Sequence, residues 1–302
     1  MKKILCVLVL ILLFAPAHAE EVKSLPIDLS GGYAPKAACY PDDLEYEDST
    51  IHVTVREYQD TLDGQKIAYW VADVTIADAS QLRTQAAAAD FSSTRQLDCD
   101  VIARRVQAVV AINGDYYNGT ERKQKAFTIR QGVLYRDNLD PEGNGSKLMD
   151  VLLIDEDGDF HGIHQPTKGT LTDEIDGKKV INSFSFGPIL VENGVKVEDF
   201  SSTGTWMNMA WDRRAQRMCI CQVGPLHYKL ICCMAPTHGY IGMTLDEFAA
   251  IVEREGVDIA YNLDGGDSTY LYFHGRKINN PRSSTTRKLQ DIIYFASAEP
   301  GD

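Results

Sequence analysis

Hydrophobic and polar positions alternate along the chain from Ile51: first Ile51, Val53 and Val55, then Ile67, Tyr69 and Val71, then Val74 and Ile76. A period of two places such residues on one face of an extended chain, so this region predicts strands. Between them, Thr61-Leu62-Asp63-Gly64-Gln65 carries the Asp-Gly signal of a hairpin turn. The pattern then changes. Residues 80–105, with Ala86 to Ala89 and then Ile102-Ala103-Arg104-Arg105, read as helical. Val106 to Ile112 is an apolar run interrupted only at Gln107, the pattern of a buried strand, and it ends in Asn113-Gly114-Asp115-Tyr116-Tyr117-Asn118.

The second half repeats this alternation of types. Phe127 to Ile129, Gly132 to Tyr135, Val151 to Ile154 and Phe184 to Val191 are strand-like. Two apolar runs joined by Gly224-Pro225-Leu226 predict a hairpin. Thr244-Leu245-Asp246-Glu247 is a capping box, and Leu245, Phe248, Ala249, Ile251 and Val252 form the apolar stripe of the helix it opens. Gly256 stops that helix, and a strand over 257–263 follows. Another strand runs from Tyr270 to Phe273. Two helix-then-strand units thus each deliver an Asn/Gly/Asp turn at a strand end. With no internal repeat and no linker, the expected architecture is one α+β domain over residues 51–298. It would have a β-rich, mixed-sheet core packed with a few helices. Residues 20–50, rich in Pro, Gly and acids, predict an irregular lead-in.

The first residues set an expected compartment. Lys2 and Lys3 precede the apolar stretch Ile4 to Phe14, and Ala17-His18-Ala19 is a small-residue cleavage pattern. This is the form of a secretory signal peptide over residues 1–19. Its apolar part is too short to span a bilayer. An exported, soluble protein is therefore expected, secreted, periplasmic or associated with the envelope, with no membrane span.

The formal net charge is −13, and it becomes more negative once Lys2 and Lys3 are removed. Such a surface repels nucleic acid and anionic membranes, so neither is an expected partner. It also disfavours anionic substrates unless a local basic cleft overrides the global field.

Beyond the leader lie Cys39, Cys99, Cys219, Cys221, Cys232 and Cys233. An even number in an exported chain predicts disulfides, with connectivity left open among fifteen pairings. Neither Cys219-x-Cys221 nor Cys232-Cys233 has the C-x2-C spacing usual for zinc. Bridges or buried thiols are the expectation.

Chemistry concentrates in Asn262-Leu263-Asp264-Gly265-Gly266-Asp267-Ser268-Thr269. Gly265 and Gly266 allow close backbone approach, and consecutive N–H groups there can form an anion nest. Ser268 and Thr269 add hydroxyls. Asp264 can serve as base, nucleophile or metal ligand, and Asp267 adds a charge that opposes a nearby anion. The same composition also makes an ordinary solvated turn. Asp155-Glu156-Asp157-Gly158-Asp159 begins like a calcium loop but lacks its full ligand spacing, and reads better as a hairpin turn. His161 and His164 read as surface residues, and His274 as a turn histidine.

Five segments, in order, resemble the phosphodiester glycosidase family: Ala111 to Tyr117, Phe186 to Gly194, Asp212 to Ala215, Met243 to Thr269 with its capped helix, and Arg287 to Phe295. The family pattern at the turn is N-L-D-G-G-G-S-S/A-T, so Asp267 stands where a third glycine is usual. Arg214 likewise stands where a threonine is usual. The resemblance spans nearly the whole chain beyond the leader. It implies hydrolysis of a sugar-1-phosphodiester to a free sugar and a phosphomonoester.

On that implication Asp264 and Asp115 form the carboxylate pair usual for an oxocarbenium-like transition state. Arg213 and Arg287 clamp the phosphate. Asn113 and Asn262 orient sugar hydroxyls, and Gly114, Gly265, Gly266, Ser268 and Thr269 complete the binding set. Arg213 can equally belong, with Arg214 and Arg217, to a solvated strand face, and Arg287 can pair with Asp291. No cofactor is required, although a divalent cation such as calcium on Asp115, Asp264 and Asp267 would relieve their charge. The expected partner is a phosphosugar or glycan, for example an envelope polymer. The alternatives are a non-catalytic phosphoglycan- or carbohydrate-binding protein serving exopolysaccharide or envelope metabolism, and a structural disulfide-rich envelope protein.

Overall fold

The computed structural model describes residues 24–26, 31–115, 126–139, 149–201, 211–234, 239–279 and 286–300. Residues 1–19, where a leader is expected, and Tyr116-Tyr117-Asn118 lie outside the described residues. No helix among the described residues is long and apolar enough to cross a membrane.

Among these residues the strands assemble into sheets of eight, five, four and two strands. The eight-stranded sheet runs in the order Glu45–Glu47, Ile51–Leu62, Gln65–Ile76, His227–Cys233, Met218–Gly224, Ile259–Leu263, Ile189–Glu192, Val195–Lys196. The five-stranded sheet runs Arg276–Lys277, Leu271–Phe273, Val110–Asn113, Asp291–Phe295, Leu82–Ala86.

The two sheets face each other across the main core. Val53, Val74, Ile220, Tyr261 and Leu263 from one meet Val110, Ile112, Leu271, Ile293 and Phe295 from the other. The outer face of the large sheet, at Cys219, Cys221, Ile231 and Ala260, is covered by helix α2, Leu245–Arg254, through Leu245, Phe248, Ile251 and Val252. The outer face of the five-stranded sheet, at Ala111, Tyr272, Ile292 and Tyr294, carries helix α1, Cys99–Arg105, through Ile102 and Ala103. The layers are helix, sheet, sheet, helix. Strands covered on both faces read as largely apolar runs, which is why 106–112 and 257–263 stand out in the sequence. The strands themselves are shorter, Val110–Asn113 and Ile259–Leu263, because Val106 caps α1 and Gln107 turns with φ of +56°.

Local signals account for much of this. Asp63 and Gly64 have φ of +50° and +75°, the double left-handed turn whose twist suits a two-residue hairpin. The Thr244 hydroxyl accepts from the Glu247 N–H at 3.1 Å and the Glu247 carboxylate accepts from the Thr244 N–H at 2.8 Å, so the capping box is closed.

Several expectations are corrected. The core is β-rich, but every strand pair among the described residues is antiparallel, so the sheets are not mixed. With two α-helices among those residues, the α+β label fits weakly. The strand that follows α2 enters between two strands that both run against it, so its helix does not generate a parallel crossover. Residues 82–86 form a strand, not a helix. All five side chains there are buried, and Arg83 is held by the Tyr294 hydroxyl and the Ser80 and Pro26 carbonyls at 3.1, 3.0 and 2.8 Å. Burial of polar groups erased the alternation that would have marked a strand, and pairing with Asp291–Phe295 overrode the helix propensity of the alanines. The lead-in is more ordered than its composition predicts: Glu45–Glu47 pairs with the first long strand, and Tyr46 is fully buried.

The cysteines named above are free thiols, not bridges. Cys219, Cys221 and Cys233 pack under α2 while Cys232 faces the main core. They serve as small apolar side chains. Cys219 Sγ and Cys221 Sγ are 3.5 Å apart, a contact and not a bond. Burial pushes the thiols of Cys99, Cys219, Cys232 and Cys233 up. At the calcium-like turn, the Lys178 ammonium lies 3.3, 3.0 and 3.3 Å from Asp155, Asp157 and Asp159, where a cation would bind.

Candidate active site

The turn 264–270 carries the chain from the large sheet to the five-stranded one, since Ile259–Leu263 precedes it and Leu271–Phe273 follows. The neighbouring strand Val110–Asn113 ends at the same place. Asn113 Nδ2 donates to the Asp264 carbonyl at 2.9 Å, and Asn113 Oδ1 accepts from the Tyr270 N–H at 3.2 Å. Asn113 therefore spans both ends of the turn. Its side chain is committed to the backbone and holds the turn, instead of reaching toward a sugar as the sequence predicted.

Asp264 lies at the floor. Its side chain is 8% exposed, and Arg287 Nη1 donates to Oδ2 at 3.1 Å. The same nitrogen donates to Ser268 Oγ at 3.0 Å. Burial pushes the Asp264 carboxyl up from the usual carboxylate range, while hydrogen bonds from Ser268 and Gly265 and the Arg287 charge pull the other way. The Arg287 side chain is 48% exposed, with its Nε and Nη2 unpartnered among the described residues. Donors aimed outward beside a buried carboxylate suit an anionic oxygen. The predicted alternative, Arg287 paired with Asp291, is not formed.

The glycines are explained by space. A Cβ on Gly265 would stand 2.4 Å from the Gln216 carbonyl oxygen, and Gly266 has φ of +57°. The N–H groups, however, do not form the predicted anion nest. Those of Gly266, Ser268 and Thr269 donate to the carbonyls of Gln216, Gly265 and Gly266 at 3.0, 3.1 and 3.1 Å. Asp267 is exposed on the short turn Gly266–Ser268.

Asp115 follows Asn113 but turns inward. Its carboxylate bonds Arg130 Nη2 at 2.9 Å and the Ser185 N–H at 3.1 Å. Arg130 Nε bonds Asp291 Oδ2 at 3.0 Å. All three side chains are at most 2% exposed. Burial pushes Asp115 up to about 6; Arg130 opposes this, and Asp291 reinforces it. The direction is what one guanidinium serving two buried carboxylates produces. Gly114 is required here because a Cβ would meet Asp291 Oδ1 at 2.1 Å. Sequence reasoning missed Arg130 and considered Asp291 only as a partner for Arg287. The one available signal was an arginine directly after the strand-like Phe127-Thr128-Ile129, in a strand buried along its length.

Other predicted residues separate from this centre. Arg213 is exposed, and its side chain contacts neither Asp264 nor Arg287. Arg214 pairs with Glu247 and Asp63, tying α2 to the tip of the first hairpin, and Arg217 is buried against the Met243 and Arg213 carbonyls. The run 213–217 is thus no solvated strand face. Asn262 donates to the Gly187 carbonyl at 2.8 Å. Its Oδ1, Thr269 Oγ1 and Gln216 Nε2 are buried polar atoms with no partner among the described residues. His274 stacks on Tyr40 at 4.0 Å between ring centres, as a turn residue. Asp115, Asp264 and Asp267 do not gather as metal ligands. Among the described residues the one trio close enough is Glu45, Glu47 and His52, at an edge strand.

A family model described as phosphodiester glycosidase matches residues 106–296. No curated protein matches the sequence. Among solved structures, the catalytic domain of zebrafish N-acetylglucosamine-1-phosphodiester alpha-N-acetylglucosaminidase, auto-inhibited by its pro-peptide, aligns with a TM-score of 0.65 and 15% identity. That alignment covers 88% of this chain and 87% of that one. A hypothetical protein from Synechocystis aligns with a TM-score of 0.52 and 18% identity, over 81% of this chain and 62% of that chain. At these identities the structural likeness speaks for the fold. The family match covers most of the chain and takes in Asn113, Asp115, Asp264 and Arg287, and on it the chain belongs to the phosphodiester glycosidase family.

Proposed function

We propose that this protein hydrolyses sugar-1-phosphodiesters, releasing a free sugar and a phosphomonoester. The observation that carries the reading is the pairing of buried Asp264 with half-exposed Arg287 at 3.1 Å. Arg287 neutralises phosphate oxygens through its outward N–H groups, and Asp264 meets the anomeric carbon. As positive charge grows on that carbon, Asp264 either attacks it, forming a glycosyl ester that water then hydrolyses to the free sugar, or takes a proton from the attacking water. The bond from the anomeric carbon to the phosphate oxygen breaks, and its electron pair leaves on the phosphomonoester. A phosphate is a better leaving group than a sugar alkoxide, so one reacting carboxylate suffices, which agrees with the inward engagement of Asp115 by Arg130 and Ser185. An exported protein acting on envelope glycans or exopolysaccharide fits the leader-like first residues.

The test is release of sugar from a panel of synthetic sugar-1-phosphodiesters by wild type and Asp264→Asn. Wild type should turn over at least one, and the variant should lose about a thousandfold or more. Binding of glycan with no turnover of any diester would replace this reading with that of a non-catalytic binding protein.

A further inference from the structure

Asp267 is the charged group of the turn that hydrolysis itself leaves unused. Its carboxylate is exposed, and it has no ion pair or hydrogen bond among the described residues. Its backbone is fixed, because its carbonyl accepts from the Arg287 N–H at 2.9 Å, the Gly266 N–H donates to the Gln216 carbonyl and the Ser268 N–H to the Gly265 carbonyl. Asp267 and Arg287 are therefore neighbours by construction. The nearby Lys277 ammonium feels the Asp267 charge but makes its direct contacts elsewhere, 4.9 Å over the Tyr270 ring and 3.2 Å from Thr286 Oγ1.

Exposure orders three charges from the floor outward. Asp264 is 8% exposed, Arg287 is 48% exposed, and Asp267 lies open to solvent. The sequence of signs is negative, positive, negative. A sugar-1-phosphodiester read from its anomeric carbon outward presents a developing positive charge, then a negative phosphate, then its alcohol arm. The third position is complementary only if that arm carries a positive charge. The acidity of the whole molecule favours the same ligand. A net charge of −13 repels an anionic diester, whereas a diester with an ammonium on its arm has no net charge to repel.

We propose that Asp267 makes the site selective for zwitterionic sugar-1-phosphodiesters, in which a short aminoalkyl arm such as 2-aminoethyl is esterified to the phosphate. The inference rests on the hydrolytic reading of Asp264 and Arg287 given above. The arm is short because Asp267 and Arg287 are hydrogen-bonded neighbours. Placing glycine at 267 would leave phosphate recognition in place and remove the outer anchor.

The experiment pairs two near-isosteric diesters for each sugar-1-phosphate of a hexose and N-acetylhexosamine panel, one with 2-aminoethanol and one with ethylene glycol. Turnover is measured with wild type, Asp267→Asn and Asp267→Gly. Calorimetry on 2-aminoethyl phosphate and 2-hydroxyethyl phosphate gives a second readout that needs no turnover. Wild type should prefer the amino ester in kcat/KM by about three- to fivefold, the size of one exposed ion pair. Both variants and molar salt should abolish the preference. Turnover of both esters with one ratio in all three proteins would overturn this inference and leave hydrolysis standing. Amine-selective binding that depends on Asp267, without turnover, would uphold the inference as a binding specificity and sink the hydrolytic reading. Absence of both turnover and selective binding would overturn both.

Discussion

Asn113 and Asp264, 151 residues apart, are joined by a hydrogen bond of 2.9 Å from a side-chain amide to a backbone carbonyl. The bond links the end of a strand in the five-stranded sheet to the turn leaving the eight-stranded one. Because Asn113 also accepts from Tyr270, the turn is held at both ends by one side chain. The Asp264 carboxylate thereby acquires a set position at the rim of the sandwich, where Arg287 reaches it.

The pairing of Asp264 with Arg287 predicts a shift in the pH dependence of activity. Asp264 must be ionised to act, and burial already raises its pKa while Arg287 lowers it. Arg287→Gln should move the acid limb of kcat/KM to higher pH and lower its plateau by about 10- to 100-fold, the loss of a charge-assisted bond. A reduced plateau with an unmoved acid limb would show that Arg287 binds substrate without tuning Asp264.

Asp115 makes a stability prediction with a definite sign. Burial pushes its carboxyl up to about 6 in the folded protein, above the ordinary aspartate value of about 3.9 in the unfolded chain. Between these values the unfolded chain releases the proton that the folded chain keeps, so this contribution falls as pH rises. It is fully present below the unfolded pKa and lost as pH passes about 6. Chemical denaturation of wild type and Asp115→Asn at pH 4 and pH 7 should show the wild-type advantage shrinking with pH, by up to about 3 kcal/mol. An advantage that grows with pH would mean that Arg130 outweighs burial.

Gly265→Ala should be destabilising by about 1–3 kcal/mol, because its Cβ meets a backbone oxygen that cannot swing aside. The Gln216 carbonyl, 2.4 Å from that position, also accepts the Gly266 N–H, so turnover should fall along with stability. Thermal unfolding and kcat measured together check this. An unchanged Tm would show that the segment carrying Gln216, just before the strand Met218–Gly224, yields.

The thiols give a redox prediction. Cys99, Cys219, Cys221, Cys232 and Cys233 are buried and free while Cys39 is only half-buried, so in the native protein a thiol reagent should react with Cys39 first and with those five slowly, and with all of them after denaturation. A reductant should leave Tm unchanged. A drop in Tm on reduction would reveal bridges in the isolated protein.

Strong local signals were legible in the sequence. Asp63-Gly64 made its hairpin, Thr244 to Glu247 capped its helix, and the ends of the runs at 106–112 and 257–263 became the buried strands Val110–Asn113 and Ile259–Leu263, because each depends on neighbours a few residues away. Residues 82–86 were not legible: the partners that satisfy Arg83 include the Tyr294 hydroxyl, 211 residues distant. The same limit applied at the site. Asp264, its glycines and Ser268 announced themselves by composition, while Arg130 gave almost no sign of meeting Asp291, 161 residues along the chain.

The sequence by itself determined that the chain is β-rich, that it carries the family's ordered motifs, and that Asp264 sits on a turn at the end of a buried strand. Only the closing of the tertiary structure decided that Arg287 and not Arg213 pairs with Asp264, that Asp115 faces inward to Arg130, and that the N–H groups of Gly266, Ser268 and Thr269 are already satisfied. Periodicity and turn chemistry act over a few residues and are written locally. Which charge neutralises which depends on two sheets and their loops closing on one point, and no local pattern records that.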